Sequence, residues 1–380
     1  MKHLMLIVML LYIPLIAGCA YNQPEQSMEE TVLFESGTLG YHTFRIPSII
    51  TIPSGNVLAF CEGRKGSRSD TGDIDMVMRR STDGGKTWDG LKVIWDDGEN
   101  VCGNPCPIFD RDTGVIWLVM THNLGTDSEH KIRTGESEGS RTVWVMSSDD
   151  EGVTWREPVD ITATTKDPGW GWYATGPGIG IQLESGRMII PCDYSADKGE
   201  TLGAHIIYSD DHGETWRLGG TVSPDSNESQ AVELSDGSVL LNIRSYHGLK
   251  HRYIAISRDG GLSFGDMHHD NALIEPVCQA SIIRYTHADG YGRNRILFSN
   301  PADSTRINMT VRISYDECGT WPVARSLYEG PSAYSCLTVF PDMSIGCLYE
   351  KGVENAYETI VLARFNLAWL SDGEDELNAR

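Results

Sequence analysis

An eight-residue pattern, S-x-D-x-G-x-T-W, recurs along the chain and restricts its fold more than any other feature. STDGGKTW (81–88), SDDEGVTW (148–155) and SDDHGETW (209–216) match it in full. SRDGGLSF (257–264) is a degenerate copy, and SYDECGTW (314–321) places Cys318 where the glycine belongs, with Gly319 one residue later. An aspartate accepting from turn N–H groups, a glycine free to take positive φ and an indole laid over apolar surface describe a tight hairpin. The copies begin 48 to 67 residues apart, close to a four-stranded propeller blade of roughly 50 to 60 residues. Strand-like runs such as VIWLVM (115–120), RMIIP (187–191) and SVLLNI (238–243) lie between them, and helical periodicity is almost absent. The expected fold is all-β: a six-bladed β-propeller of four-stranded antiparallel blades over residues 31–368, with ETIVLARF (358–365) closing the ring beside TVLFES (31–36). These repeats, called Asp boxes, speak for fold and not for function.

The ends of the chain read differently. MKHLMLIVMLLYIPLIAGCA opens with Lys2, runs apolar from Leu4 to Ile16 and ends in small residues, an export signal rather than a spanning helix. Because IAGC resembles a bacterial lipobox, residues 1–19 are expected to be a lipoprotein-type signal peptide with Cys19 as the lipid-bearing residue. Residues 20–30 then form a polar tether and 369–380 a polar C-terminal tail. The expected location is the bacterial cell envelope, with membrane contact only through the lipid anchor. A net charge of −22 argues against nucleic acid and against bulk attraction to anionic lipid. Any acidic ligand must therefore be held by a local cluster of cations.

Eight cysteines remain after Cys19 with no zinc-type spacing, so the expectation is buried small hydrophobes with one or two disulfides in an oxidising envelope. No metal site is evident and no cofactor is expected; the protein is expected to be a monomer.

Charged residues inside apolar strands point to a site. Arg45 stands in YHTFRIPSIITI, Arg244 ends SVLLNIRSY, and Arg306 precedes the strand in NPADSTRINMTVRIS. An unpaired buried guanidinium is costly. Three from separate blades, meeting at one rim, would hold a carboxylate through their planar forks, so the expected partner of Arg45 is a ligand's carboxylate. Arg79, Arg80 and Arg312, also near strands, are assigned to surface pairing.

With these residues in view, the sequence resembles the exo-alpha-sialidases: FRIP at 44–47, EGRKGSRSDTGDID at 62–75, NPCP at 104–107, GPGIGIQL at 176–183, CQAS at 278–281 and GPSAYSCL at 330–337 carry the likeness across nearly the whole chain. The resemblance implies that Arg45, Arg244 and Arg306 bind the carboxylate of a sialic acid. It implies Asp70 as acid/base, Tyr334 as nucleophile and Glu228 as its paired base, with Arg64, Asn104 and Gln279 contacting the sugar. Trp170, Trp172 and Tyr173 in GWGWY are suggestions for the remaining pockets.

The chemistry suits these residue types. A sialic acid bears a carboxylate on its anomeric carbon, which repels a carboxylate nucleophile, whereas a phenol is neutral until a neighbouring base takes its proton. The implied substrates are sialylated glycans, on glycoproteins or gangliosides. A trans-sialidase or anhydro-forming enzyme would use the same residues, and a non-catalytic glycan- or protein-binding propeller is the reading of another class.

Overall fold

A computed structural model describes residues 25–377. The signal peptide and Cys19 lie outside the described residues. Among those described, antiparallel strands follow one another in sequence order, and helices are short pieces such as Glu129–Thr134 and Leu367–Leu370. The fold is all-β, as the alternating apolar runs and turn motifs predict.

Strands group by sequence. Thr43–Thr51, Val57–Arg64 and Ile74–Ser81 pair in succession, and the group Val101–Phe109, Ile116–Asn123 and Thr142–Ser148 joins them only through a parallel bridge between Ile74 and Val101. Next come Met188–Ala196, Thr201–Ser209 and Arg217–Val222, with a first strand broken into Tyr173–Thr175 and Ile181–Gln182. A fourth group comprises Ser226–Glu233, Val239–Ser245, His251–Ser257 and His268–Ile274. Ser281–Thr286, Arg295–Pro301 and Ile307–Ser314 follow, and the 17-residue strand Val323–Val339 serves two neighbours: its first half pairs with Ile307–Ser314, its second with Ile345–Lys351.

The last strand, Thr359–Phe365, pairs antiparallel with the first, Met28–Glu35, placing Thr31 opposite Leu362. Closure is also apolar. Leu348, Ile360 and Leu362 of the C-terminal strands share one core with Phe44, Val57 and Ala59 of the N-terminal ones. Similar clusters join each group to the next, as where Phe60 and Met76 meet Ile116 and Leu118. A buried side chain of this size contributes about 1.5–3 kcal/mol, so joining the first strand to the last adds a further core.

Two boundaries and one cysteine expectation change. Residues 28–30 of the expected tether are strand, paired with 363–365. The expected tail is packed as far as the structure describes it, because the buried Asp375 accepts from Arg295 Nε at 2.7 Å and Nη2 at 2.6 Å and from Tyr315 Oη at 2.9 Å. The eight described cysteines are all unpaired rather than bridged; seven are buried and Cys318 is half-buried. Their strands bury them as small apolar side chains, which explains their frequency without a disulfide.

The five Asp boxes share one hydrogen-bond pattern. In the third, Asp211 Oδ1 accepts from Thr215 N at 2.9 Å and Ser209 Oγ at 2.8 Å, Oδ2 accepts from Thr215 Oγ1 at 2.6 Å, and Gly213 N donates to Ser209 Oγ at 2.8 Å. Gly213 has φ +90°, and a Cβ there would lie 2.2 Å from Trp117 of the preceding group. The glycine is thus required for both conformation and close packing. The irregular fifth box keeps the pattern by forcing Cys318 itself to φ +70°, with its N–H on Ser314 Oγ at 2.9 Å. Asp211→Ala is expected to lower stability by about 1–2 kcal/mol, measurable by denaturant unfolding, with kcat unchanged because the turn lies outside the site described below.

Candidate active site

The first strands of several groups carry the site, and a bulge at each cavity end aims the side chain. Register shifts fall between Arg45 and Ser48, Gly103 and Cys106, Ser226 and Ser229, and Ser332 and Ser335. These brackets enclose or border Arg45, Asn104, Glu228 and Tyr334. A bulge interrupts the strict in/out alternation and turns a side chain that the pleat would send elsewhere. Ile46 at φ +62° and Asn104 at φ +55° are the left-handed residues of two of them; for a β-branched side chain such as isoleucine this is a strained conformation, of the kind that concentrates at functional sites.

The bulges open on a cavity of about 410 Å³ lined by Arg45, Asp70, Asn104, Glu228, Arg244, Arg306 and Tyr334. Its volume is in the range of a site for one small ligand. Tyr334 Oη donates to Glu228 Oε1 at 2.5 Å, while Arg244 Nη1 donates to Glu228 Oε2 at 2.7 Å and to Tyr334 Oη at 3.1 Å. Burial, then the Glu228 carboxylate, push the Tyr334 phenol well above its ordinary value, with Arg244 and Arg306 opposing them. The phenol is therefore held in its neutral form, with Glu228 placed to accept its proton.

Arg45 already has a partner within the fold, which corrects the expectation that the ligand's carboxylate alone supplies one. Glu350 takes Arg45 Nε at 2.9 Å and Nη2 at 3.2 Å, and also the backbone N–H groups of Ile46 and Tyr334 at 3.1 Å each. Burial opposes the Arg45 charge, but Glu350 more than restores it. The guanidinium stacks 4.2 Å from the Tyr357 ring centroid, and Arg306 Nη1 donates to Tyr357 Oη at 2.8 Å. Three cationic groups thus converge on one end of the cavity in a strongly acidic protein, forming a local anion site against the net field.

Asp70 sits on the loop after Val57–Arg64, its side chain 53 % exposed, and accepts from Arg64 Nη2 at 2.6 Å. Burial raises its carboxyl, but the Arg64 and Arg45 charges outweigh that and hold it below the usual carboxylate range. Arg64 is fixed in turn by Glu62 Oε2, at 2.9 Å from Nε and 2.5 Å from Nη2. Asn104 lines the cavity with its N–H on Glu62 Oε1 at 2.9 Å.

Gln279 does not line the cavity. It is 1 % exposed, its Nε2 donates to Pro177 O and Ser335 O, and its Oε1 accepts from Ser335 N, all at 2.9 Å. It supports the strand beside Tyr334 rather than touching a ligand. Of the GWGWY aromatics, Trp172 lines the cavity, Tyr173 is fully buried, and Trp170 stacks on Tyr194 at 3.8 Å. Arg79 and Arg80 donate to backbone oxygens of Asp89 and Glu151, and Arg312 to Asn300 Oδ1, all away from the cavity.

Sequence reasoning missed Glu350, Arg141, Asp193 and Tyr357. Glu350 carried a usable signal, since it is an acid ending the apolar run IGCLYE as Arg45 begins one. A larger hollow of about 950 Å³ lies at the other ends of the same strands, beside Thr51 and Glu233. Its cations are already engaged, Arg284 with Glu317 at 2.5 Å and Arg111 with the carbonyls of Gln182 and Leu183. The smaller, polar cavity is therefore the site.

The sequence matches the BNR repeat-like domain family over residues 55–348. It is 37 % identical to a sialidase of Micromonospora viridifaciens over 90 % of this chain, though it spans about half, 54 %, of that relative. It is 31 % identical to an exo-alpha-sialidase of Aspergillus fumigatus over 98 % of this chain and 99 % of the relative. Among solved structures it superimposes on the Hadza microbial sialidase Hz136 with TM-score 0.82 and 32 % identity, over 90 % of this chain and 69 % of that one. An intramolecular trans-sialidase from Ruminococcus gnavus, 21 % identical with TM-score 0.74 over 90 % and 98 % of the two chains, shares the fold.

Proposed function

Because the chain belongs to the sialidase family, we propose that it is an exo-alpha-sialidase, cleaving terminal alpha-linked sialic acids from glycans with retention of configuration through a tyrosyl-sialoside intermediate. The observation that carries this reading is the Tyr334–Glu228–Arg244 constellation facing Arg45 and Arg306. The strand order supports six blades: four groups divide at the single parallel bridge and at the breaks between separate sheets, and the shared strand Val323–Val339 pairs first within the fifth group and then within the sixth. The leader and IAGC support export and a lipid anchor.

The substrate carboxylate meets the cavity-lining Arg45, Arg244 and Arg306, which holds the anomeric carbon near Tyr334 Oη. Asp70 gives its proton to the glycosidic oxygen as that bond breaks. Tyr334 Oη bonds to the anomeric carbon and its proton passes to Glu228. Asp70, now a carboxylate, takes a proton from water, which attacks the same carbon; the bond to Tyr334 breaks and Glu228 returns the phenol proton. The arginines stabilise the flattened, positively charged transition state by holding its carboxylate in place.

Incubation with a fluorogenic alpha-sialoside should release the fluorophore, with NMR showing the alpha anomer formed first. An inactive wild-type protein from acidic to neutral pH would sink the reading, and product analysis with an acceptor sugar separates hydrolysis from transfer. Asp70 must be protonated to act as acid. Since Arg64 and Arg45 hold it low in the free protein, and a bound carboxylate offsets that positive charge, its proton should be lost at higher pH in the complex. The falling limb of kcat is therefore expected at higher pH than that of kcat/KM. Asp70→Asn should slow sugar leaving groups by about 10²–10⁴-fold and activated phenols far less, as a leaving-group series would show.

A further inference from the structure

Among the cavity-lining charges that the steps above leave unused, Arg141 and Asp193 are buried and each has an atom without a partner among the described residues. They come from the second and third strand groups, whereas the carboxylate-binding arginines come from the first, fourth and fifth. Asp193 is 1 % exposed; its Oδ1 accepts from Asn227 Nδ2 at 3.0 Å and its Oδ2 has no partner among the described residues. Arg141 is 2 % exposed. Its Nε and Nη2 reach Thr121 Oγ1 at 3.0 and 2.9 Å, Nη2 also reaches Asn104 Oδ1, and its face stacks 3.9 Å from the Trp172 ring centroid. Its Nη1 has no partner among the described residues.

A buried donor or acceptor left unmade costs the desolvation of that group. Two such groups, each fixed by its other atoms and lining one small cavity, form a prepared recognition surface. Burial, then Glu228 and Glu129, push the Asp193 carboxyl well above the ordinary carboxylate range against Arg244 and Arg141. A neutral acid both donates and accepts, as a hydroxyl does, while a guanidinium only donates.

We propose that Arg141 and Asp193 are specificity-determining residues that read the sugar's substituents remote from its carboxylate, Arg141 donating to an oxygen and Asp193 engaging a hydroxyl or amide N–H. This inference rests on the sialidase reading above. A site built to hydrogen-bond a substituent rejects analogues lacking it, because its own buried groups are then left unpaired.

The test is a matrix of kcat and KM. Wild type, Asp193→Ala, Asp193→Asn and Arg141→Gln are assayed on aryl glycosides of the N-acetylated acid, its analogue with a hydroxyl in place of the acetamide, a 4-deoxy analogue, and one with a shortened polyol. Asp193→Ala is expected to raise KM for the parent by about 10-fold or more, with little change in kcat and no further loss on the analogue lacking the group it reads. Asp193→Asn, whose amide also donates and accepts, should stay within several-fold of wild type. Equal losses on every analogue, or an unaltered alanine variant, overturn the inference while leaving the sialidase reading intact. A silent wild type overturns both. Should the alanine variant not fold, a wild type indifferent to all three analogues overturns the inference without it.

Discussion

Tyr334→Phe is expected to reduce kcat on an alpha-sialoside by about 10³-fold or more while leaving KM and stability close to wild type. The substitution removes one oxygen and keeps the ring, which is 6 % exposed and packed against Ile46, Cys278 and Ala333. Glu228 retains its ion pair with Arg244 at 2.7 Å, so no buried charge is stranded. What disappears is the atom that would bond to the anomeric carbon. Because Arg45, Arg244 and Arg306, the proposed carboxylate ligands, are untouched, ground-state binding should persist. A phenylalanine variant with more than a small fraction of wild-type kcat would place the nucleophile elsewhere.

Glu350→Ala should be the more damaging change to the fold. Glu350 is fully buried, and its carboxylate holds Arg45 and two backbone N–H groups at once. Removing it leaves a buried guanidinium unpaired, which costs about 3–5 kcal/mol, and releases the bulge that aims Arg45 and the backbone that carries Tyr334. Denaturant unfolding should show the loss, and turnover should fall with it. Arg45→Lys separates the two effects, since an ammonium still neutralises Glu350 but cannot make planar two-point contacts with both Glu350 and a ligand. Its expected phenotype is a folded protein with strongly reduced kcat/KM. Wild-type stability in the alanine variant would show that the pair does not anchor the site.

Arg45 shows how far a sequence can be read. A guanidinium amid FRIPSIITI is anomalous for a buried strand, and the structure places it in the lining of the cavity. Its first partner, however, is 305 residues away, a pairing that no local pattern contains. The Asp boxes were legible because their physics is local: an aspartate, a serine and a threonine satisfy one turn within eight residues, so even the misplaced glycine of the fifth copy is accommodated in place. Gln279 was misread because the likeness of CQAS, which alone suggested it, does not distinguish a side chain that touches ligand from one that braces Ser335. Arg141 and Asp193 stayed hidden because each is ordinary in its own stretch of sequence, and only the assembled cavity shows that each has an atom without a partner among the described residues.

By itself the sequence determined the all-β class and the hairpin repeat, since each follows from periodicity or from chemistry carried within a short segment, and it marked Arg45 as out of place in an apolar strand; the pairing of Tyr334 with Glu228 was implied only by the resemblance of motifs. Tertiary structure alone decided which charges meet. Pairing of the first strand with the last, and apolar clusters between successive strand groups, bring distant strands to a common cavity, and bulges at Arg45, Asn104, Glu228 and Tyr334 break the in/out alternation on which sequence patterns depend, so the direction of the site's side chains is set by pairing between strands rather than by position within one.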